Sequence, residues 1–331
     1  MTATDRHFSP AEAAARLGVS PKALRLYEQR GLIAPLRTAA GYRAYGPAQM
    51  QRAGEIVQLR ALGLSLAQVA RAMDGDPQAL GPALAGHQAA LEGRLRDIGA
   101  AIDRVARLRS ALAAGAAPSA GDLAGLLNAG PGLAFDLPWP WGGERFELRH
   151  IRPLTFIIGP LGSGKTRLAQ AIAAQLPGAA FLASDRAPVG RTDPARLAAA
   201  LAWLAEEGAA PSDALTALVA AIQAEGPSAL VVDMVEQGLD QATQEAVIAH
   251  IRRQASASRP LFLMTRSNAI LDLEAVGPDE AILLCPANHS PPMLVAPYPG
   301  AAGYEAVATC LASPEVRART EGVVAIRPPA A

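Results

Sequence analysis

At 331 residues the chain is long enough for two domains of ordinary size, and its 50% apolar content supplies core material for both. The 30 basic and 30 acidic residues cancel, but unevenly: residues 1–113 hold 15 against 9 and residues 114–331 hold 15 against 21, so only the first part leans toward a polyanion partner. Two distant cysteines, Cys285 and Cys310, exclude a disulfide framework and a cysteine-bound zinc site, and no apolar run reaches bilayer length without a charge or a breaker. The opening MTATDRHFSP does not read as a signal peptide, so the expectation is a cytoplasmic protein without a membrane partner. On charge alone, a solvated basic surface explains the first part equally well. Nearly every cation is arginine; the only lysines are Lys22 and Lys165.

The chain opens with short helices that carry clear start signals. Ser9, Pro10 and Glu12 form a capping box before AEAAARL, which stops at Gly18. Ser20 and Pro21 start a second helix that Gly31 ends, and two such helices joined by a tight turn are a helix-turn-helix signal. IAPLRTAAGYRAYG (33–46) then alternates around a Gly-containing turn, as a small β-hairpin or wing does. Two more helices follow, the second opened by Ser65 and Gln68.

RLGVSPKALRLYEQRGLIAPLRTAAGYRAY with QLRALGLSLAQVARAM resembles the DNA-binding domain of MerR-family transcription regulators over about residues 7–73. The resemblance implies a winged helix-turn-helix whose second helix enters the major groove of double-stranded promoter DNA. By position it assigns Lys22, Arg25 and Tyr27 on that helix, and Arg37, Tyr42 and Arg43 on the wing, to DNA contact. Arginine and lysine neutralise phosphates and tyrosine hydroxyls bind them, which suits those residue types. Leu26 departs from the pattern, since an aromatic residue or histidine is common there.

Residues 77–113 read as one long helix, because Leu84, Leu91, Ile98, Val105 and Leu112 recur every seven residues with Leu95, Ile102 and Leu108 beside them. That seam suits a homodimer, as the resemblance implies, or packing against the chain's own second domain. RNA polymerase is a further partner that the resemblance implies. Residues 113–132 are rich in Ala, Gly and Pro and read as a linker with one short helix from Ser119.

LTFIIGPLGSGKTRLAQAIA then sets a strand, G-x-x-x-x-G-K-T and a helix in order, which is a P-loop in its proper context. Gly159, Gly162 and Gly164, with Ser163 between them, let backbone N–H groups fold around phosphate oxygens. Lys165 answers the β- and γ-phosphates, Thr166 can hold Mg²⁺, and Arg167 follows them at the start of the helix. Apolar strands are expected at 154–158, 179–183, 229–233, 260–265 and 281–285, with helices between, giving a mostly parallel sheet.

ALVVDMVEQGLD resembles the corresponding segment of ABC-type ATPases, chiefly their small soluble branch. The resemblance places Asp233 at the Mg²⁺-linked acid, Met234 at the catalytic glutamate, and Gly238, Leu239 and Asp240 in the D-loop. It also places PSDALTAL (211–218) at the signature motif, with Ala214 where a glycine belongs, and Arg266 at a histidine switch. No Q-loop glutamine is recognisable near 184–190. A thioether cannot accept a proton as a base, so Met234 argues for slow or absent hydrolysis. Glu236 is the one candidate base left nearby, and a non-catalytic role competes with that reading.

The expected architecture is α/β and multidomain. A MerR-like winged helix-turn-helix spans 1–75, a dimerisation helix 76–113, a linker 114–132 and an ABC-like nucleotide-binding domain 133–331. The expected function is transcription regulation by a domain that binds ATP and Mg²⁺ as a switch. The alternative is a DNA-targeted ATPase that works on DNA or a partner protein. Trp139 and Trp141 lie upstream of the P-loop, one of them suited to stack on adenine, although packing explains them too.

Overall fold

The computed structural model describes residues 7–38, 40–76, 80–115, 117, 132–256, 258–313 and 316, so most of the expected linker, with its helix from Ser119, lies outside the described residues. The chain forms two compact units, residues 1–96 and 97–331. The boundary falls within one long helix, α5 (Leu80–Ala113).

The first unit contains α1 (Pro10–Leu17), α2 (Pro21–Gln29), a two-stranded wing of β1 (Leu36–Arg37) and β2 (Arg43–Ala44), α3 (Pro47–Ala61) and α4 (Leu66–Met73). The predicted starts hold in detail. The Ser9 hydroxyl accepts from the Glu12 amide while the Glu12 carboxylate accepts from the Ser9 amide. Ser65 and Gln68 repeat the arrangement at α4, and Ser20 caps α2. Gly18 and Gly31 both turn the chain in the left-handed region, which ends α1 and follows α2. The core joins Ala13 and Ala14 of α1, Leu24 and Tyr27 of α2, Tyr45 of the wing, Ile56 of α3 and Val69 of α4. Phe8 and Tyr45 exchange both backbone hydrogen bonds at 2.9 Å, which stitches the start of the chain to the wing.

On α5 the seven-residue seam is exposed: Leu84, Leu91, Leu95, Ile98, Ile102, Val105 and Leu112 all meet solvent. A seam of this length on one helix is an uncovered apolar face.

The second unit is a six-stranded sheet in the order β10-β9-β5-β8-β7-β6. Its strands are β5 (Leu154–Ile158), β6 (Ala179–Leu182), β7 (Ala229–Val232), β8 (Leu261–Met264), β9 (Glu280–Leu284) and β10 (Met293–Val295). All pairs are parallel except β9 with β10. The interior strands β5, β7 and β8 are buried residue by residue, as a sheet covered on both faces requires.

Side-chain alternation divides those strands between two cores. Phe156, Ile158, Leu230, Val232, Leu261 and Leu263 face a layer made by α7 (Pro194–Glu207), α8 (Asp213–Gln223) and α9 (Gln241–Gln254). Ile157, Val231, Phe262 and Met264 face α6 (Lys165–Gln175) and a hairpin of β3 (Leu133–Asp136) and β4 (Arg145–Leu148). The chain is therefore an α/β multidomain protein in which a winged helical unit is followed by a mostly parallel sheet unit. A short helix, α10 (Tyr304–Cys310), packs its buried Val307 into the first of these two cores.

His250 on α9 is fully buried, and its ring lies 5.4 Å from that of Trp203 on α7. Burial, with the Arg253 charge beside it, lowers its pKa to about 4. The folded state thus refuses a proton that the unfolded chain takes near pH 6.5. The stability attached to this group is full above pH 6.5 and is lost as pH falls toward 4, on the order of 3 kcal/mol in all. Melting temperatures between pH 4 and 7 are expected to fall less steeply in His250→Gln than in the wild type; parallel curves would rule this group out as the cause.

Candidate nucleotide site and nucleic-acid interface

The nucleotide-site candidates converge at the carboxyl ends of β5 and β7. β5 feeds the loop 159–164, and Gly164 caps α6 in the left-handed region at φ 89°. Two glycines are held there by close neighbours. A Cβ on Gly159 would stand 2.4 Å from the Cys285 carbonyl oxygen and 2.6 Å from the Ser163 hydroxyl. A Cβ on Gly164 would stand 2.7 Å from the Trp141 ring. Gly162 has open space around it but needs its positive φ of 79°.

Lys165 is buried, and its Nζ donates to the Gly159 carbonyl at 2.8 Å and the Pro160 carbonyl at 2.7 Å. Burial holds its pKa below the usual lysine range. A phosphate oxygen would compete with those two carbonyls for the same ammonium. The Ser163 hydroxyl is buried without a hydrogen-bond partner, a state that costs about 1–3 kcal/mol and that a ligand oxygen would relieve. Thr166 and Arg167 are exposed at the start of α6.

Asp233 follows β7, and its amide donates to the Leu182 carbonyl at 2.9 Å. Burial raises its pKa, against the pull of Lys165 and Arg186. Met234 follows with the left-handed φ of 46°, unusual for a residue with a side chain. Glu236 is only 1% exposed, and its Oε1 accepts from the Arg266 amide at 2.9 Å. That carboxylate holds the loop after β8 in place, an engagement that competes with service as a base. The loop is also held from the other side, where Ala312 donates to the Arg266 carbonyl and accepts from the Asn268 amide.

The resemblance-based positions acquire concrete roles. Ser212 caps α8, accepting from the Leu215 amide, and Asp240 caps α9, accepting from the Thr243 amide. A Cβ on Gly238 would stand 2.9 Å from the Ala214 methyl, so the turn after Met234 lies directly on the start of α8. Trp141 is a packing residue: its ring covers Gly164 and its indole donates to the Ser290 carbonyl at 3.1 Å. Trp139 is 69% exposed.

Two residues escaped the sequence reading. Arg186, in the turn after β6, reaches across to the turn after β7 and donates to the Met234 carbonyl at 2.8 Å and the Val235 carbonyl at 3.2 Å. His289, between β9 and β10, places Nε2 3.0 Å from the Gly162 carbonyl. An arginine within an arginine-biased composition carried no signal. His289 stood in a stretch without a recognised motif.

The DNA-interface candidates separate. Arg25 on α2, Arg37 on β1 and Tyr42 at the wing turn are exposed, and Lys22 is half-buried. Arg37 donates to the Gly41 carbonyl at 3.0 Å, which orders the turn. Arg43 forms an ion pair with Glu28 at 2.7 Å, and the same carboxylate accepts from the Tyr45 hydroxyl. Wing and α2 are thereby fastened by one acid. Tyr27 is 6% exposed and its ring packs into the core. Its spacing of three from Leu24 on the same helix face is the signal that pointed inward.

A model of the "MerR HTH family regulatory protein" matches residues 8–76. The chain is 42% identical over 71 residues to the nodulation protein NolA of Bradyrhizobium sp. (strain NC92), covering 21% of this chain and 30% of that protein. It is 44% identical over 61 residues to a probable heavy metal-dependent transcriptional regulator of Haemophilus influenzae, covering 18% of this chain and 48% of that one. The chain thus spans less than half the length of either relative. A bacterial Atm1-family ABC exporter with ATP bound is similar at 15% identity with a TM-score of 0.36, over 47% of this chain and 37% of that one. Among the described residues, no helix is long and apolar enough to cross a membrane. By the family match and the two identities, residues 8–76 are a helix-turn-helix domain of the MerR type.

Proposed function

We propose that the chain is a DNA-binding transcription regulator that acts as a homodimer, and that its sheet unit binds ATP as a switch with weak or absent hydrolysis. The observation that supports this most is the loop 159–166. Gly159 and Gly164 are closed off by the Cys285 carbonyl and the Trp141 ring, and the buried lysine is spent on loop carbonyls that a phosphate would replace. Nucleotide-binding residues in this reading are Gly159, Gly162, Ser163, Gly164, Lys165, Thr166, Arg167 and Asp233.

The Thr166 hydroxyl and the Asp233 carboxylate are the hard oxygen donors that Mg²⁺ takes alongside nucleotide phosphates. When bound it would neutralise phosphate charge. Lys165, Arg186 and Glu236 all stand within electrostatic reach of Asp233, so the protein itself balances much of the charge there. With Met234 at the position of a base and Glu236 holding the Arg266 amide, nucleotide stays bound longer than in an enzyme with a positioned base. Equilibrium binding of a fluorescent ATP analogue tests the nucleotide arm: Lys165→Ala is expected to lose at least about a hundredfold in affinity, since a charge-assisted contact at a buried site is removed. Equal binding by both proteins would refute it. Rapid DNA-stimulated turnover abolished by Glu236→Ala would instead favour a DNA-targeted ATPase.

Promoter DNA and RNA polymerase are the partners in this reading. The exposed seam of α5 is the dimer contact, and two copies related by a two-fold axis would meet a near-palindromic operator. Arg25, Arg37, Tyr42, Arg43 and Lys22 supply the phosphate and base contacts. Arg25→Ala is expected to weaken binding at 50 mM salt more than at 200 mM and to lower the slope of log affinity against log salt by about one. An unchanged slope would place Arg25 off the DNA.

A further inference from the structure

A half-buried guanidinium adjoins the proposed phosphate site without any assigned role. Arg186 lies in the turn 183–186 after β6, the strand next to β7. Its backbone is left-handed at φ 57°, an uncommon conformation for a side-chain-bearing residue. The side chain turns back over the strand ends and is anchored through one nitrogen only, Nη2, on the Met234 and Val235 carbonyls. The other terminal nitrogen, Nη1, is buried without a hydrogen-bond partner.

The nearby charges are the Glu236 and Asp233 carboxylates, and one oxygen of Glu236, Oε1, accepts from the Arg266 amide. Lys165 feels both Asp233 and Arg266, and Asp233 feels both Lys165 and Arg186. Lys165 and Arg186 therefore both act on one acid, Asp233, and Arg266 stands within electrostatic reach of Lys165. A planar guanidinium with a spare donor edge matches phosphate oxygens, and an unmet buried donor gains when an anion supplies an acceptor.

Resting on the nucleotide-binding reading above, we propose that Arg186 binds a phosphate of the nucleotide and supplies charge that a divalent cation would otherwise supply, so that triphosphate binds with little dependence on Mg²⁺. The Met234 and Val235 carbonyls aim the guanidinium; its charge and spare nitrogen do the binding. A hydrated metal ion and a fixed guanidinium would then share the neutralisation of the same phosphates.

The test is equilibrium binding of a fluorescent ATP analogue to the full chain, in Mg²⁺ and in EDTA, for the wild type, Arg186→Met, Arg186→Lys and Lys165→Ala. The wild type is expected to lose less than about tenfold in affinity when Mg²⁺ is removed. Arg186→Met is expected to lose about tenfold or more further in EDTA, and less in Mg²⁺. Arg186→Lys should recover part of the EDTA affinity because it restores the charge. If Arg186 serves only to hold the turn at Met234, Arg186→Met weakens both conditions equally, and the proposal is wrong while the nucleotide site stands. A wild type that needs Mg²⁺ for more than a hundredfold of its affinity overturns it in the same way. A wild type that binds in neither condition overturns both this proposal and the nucleotide reading.

Discussion

Gly159→Ala is expected to lower the melting temperature of the sheet unit most among single alanine replacements of Gly159, Gly162 and Gly164. The added methyl meets a backbone atom, the Cys285 carbonyl oxygen at 2.4 Å, and backbone cannot rotate aside as a side chain can. Relief requires the ends of β5 and β9 to part beside the bond that the Cys285 amide donates to the Ile158 carbonyl at 2.8 Å. Overpacking of this kind costs about 3 kcal/mol or more. Gly164→Ala combines a left-handed backbone with a contact against Trp141, an aromatic ring that can shift by a few tenths of an ångström, and costs about 2–3 kcal/mol. Gly162→Ala has only the backbone term, about 1–2 kcal/mol. In a unit of more than two hundred residues each kcal/mol moves the midpoint by roughly 2–4 °C. Calorimetry on the three variants gives the order directly, and a Gly162 variant less stable than the Gly159 variant would mean that the close approach of Cys285 does not constrain the loop.

Met234→Glu is expected to raise ATP turnover by about a hundredfold or more, because a positioned general base contributes about a hundredfold to ten-thousandfold. The anchor from Arg186 is to the main-chain carbonyl of residue 234, which the substitution keeps. Phosphate release measured on Met234→Glu and on Met234→Glu with Lys165→Ala separates turnover at this site from contamination. Turnover equal to wild type, with nucleotide still bound, would show that the missing base is not what slows hydrolysis. Glu236→Gln bears on the same point from the other side. Its expected effect is on stability and on the loop at Arg266, since the carboxylate is engaged there.

The long apolar runs were readable because a covered parallel strand needs no polar face. The strands at 154–158, 179–182, 229–232, 261–264 and 280–284 fall within a residue of where the sequence placed them. Helix starts in the first unit were equally legible, since a capping serine followed by proline or by a reciprocal Glu or Gln is a local interaction. The hairpin of β3 and β4 was not recognised. Its strands have four residues each, and its partners are fixed by packing Phe135 and Phe146 on α6 and the sheet rather than by a turn signature. β10 was missed for a related reason, being three residues set between prolines and glycines.

In the site, chemistry carried by a local motif was visible and chemistry made by distant contacts was not. Glycine spacing announced the loop 159–166. Nothing local announced that Glu236 would hold the Arg266 amide or that Arg186 would cross from the turn after β6 to the turn after β7. On α2 the resemblance assigned Lys22, Arg25 and Tyr27 to DNA, with the tyrosine hydroxyl as the contact and its ring as a packing group. Packing then turned the Tyr27 ring inward while leaving Arg25 outside.

The central claim is that nucleotide occupancy of the sheet unit sets DNA occupancy by the winged unit. Capture of genomic fragments by the full chain, with and without ATP–Mg²⁺ and alongside Lys165→Ala, tests it most directly. The account predicts a small set of near-palindromic promoter sites whose occupancy shifts with ATP in the wild type and does not shift in the variant. The same fragments at the same occupancy in every sample would contradict it.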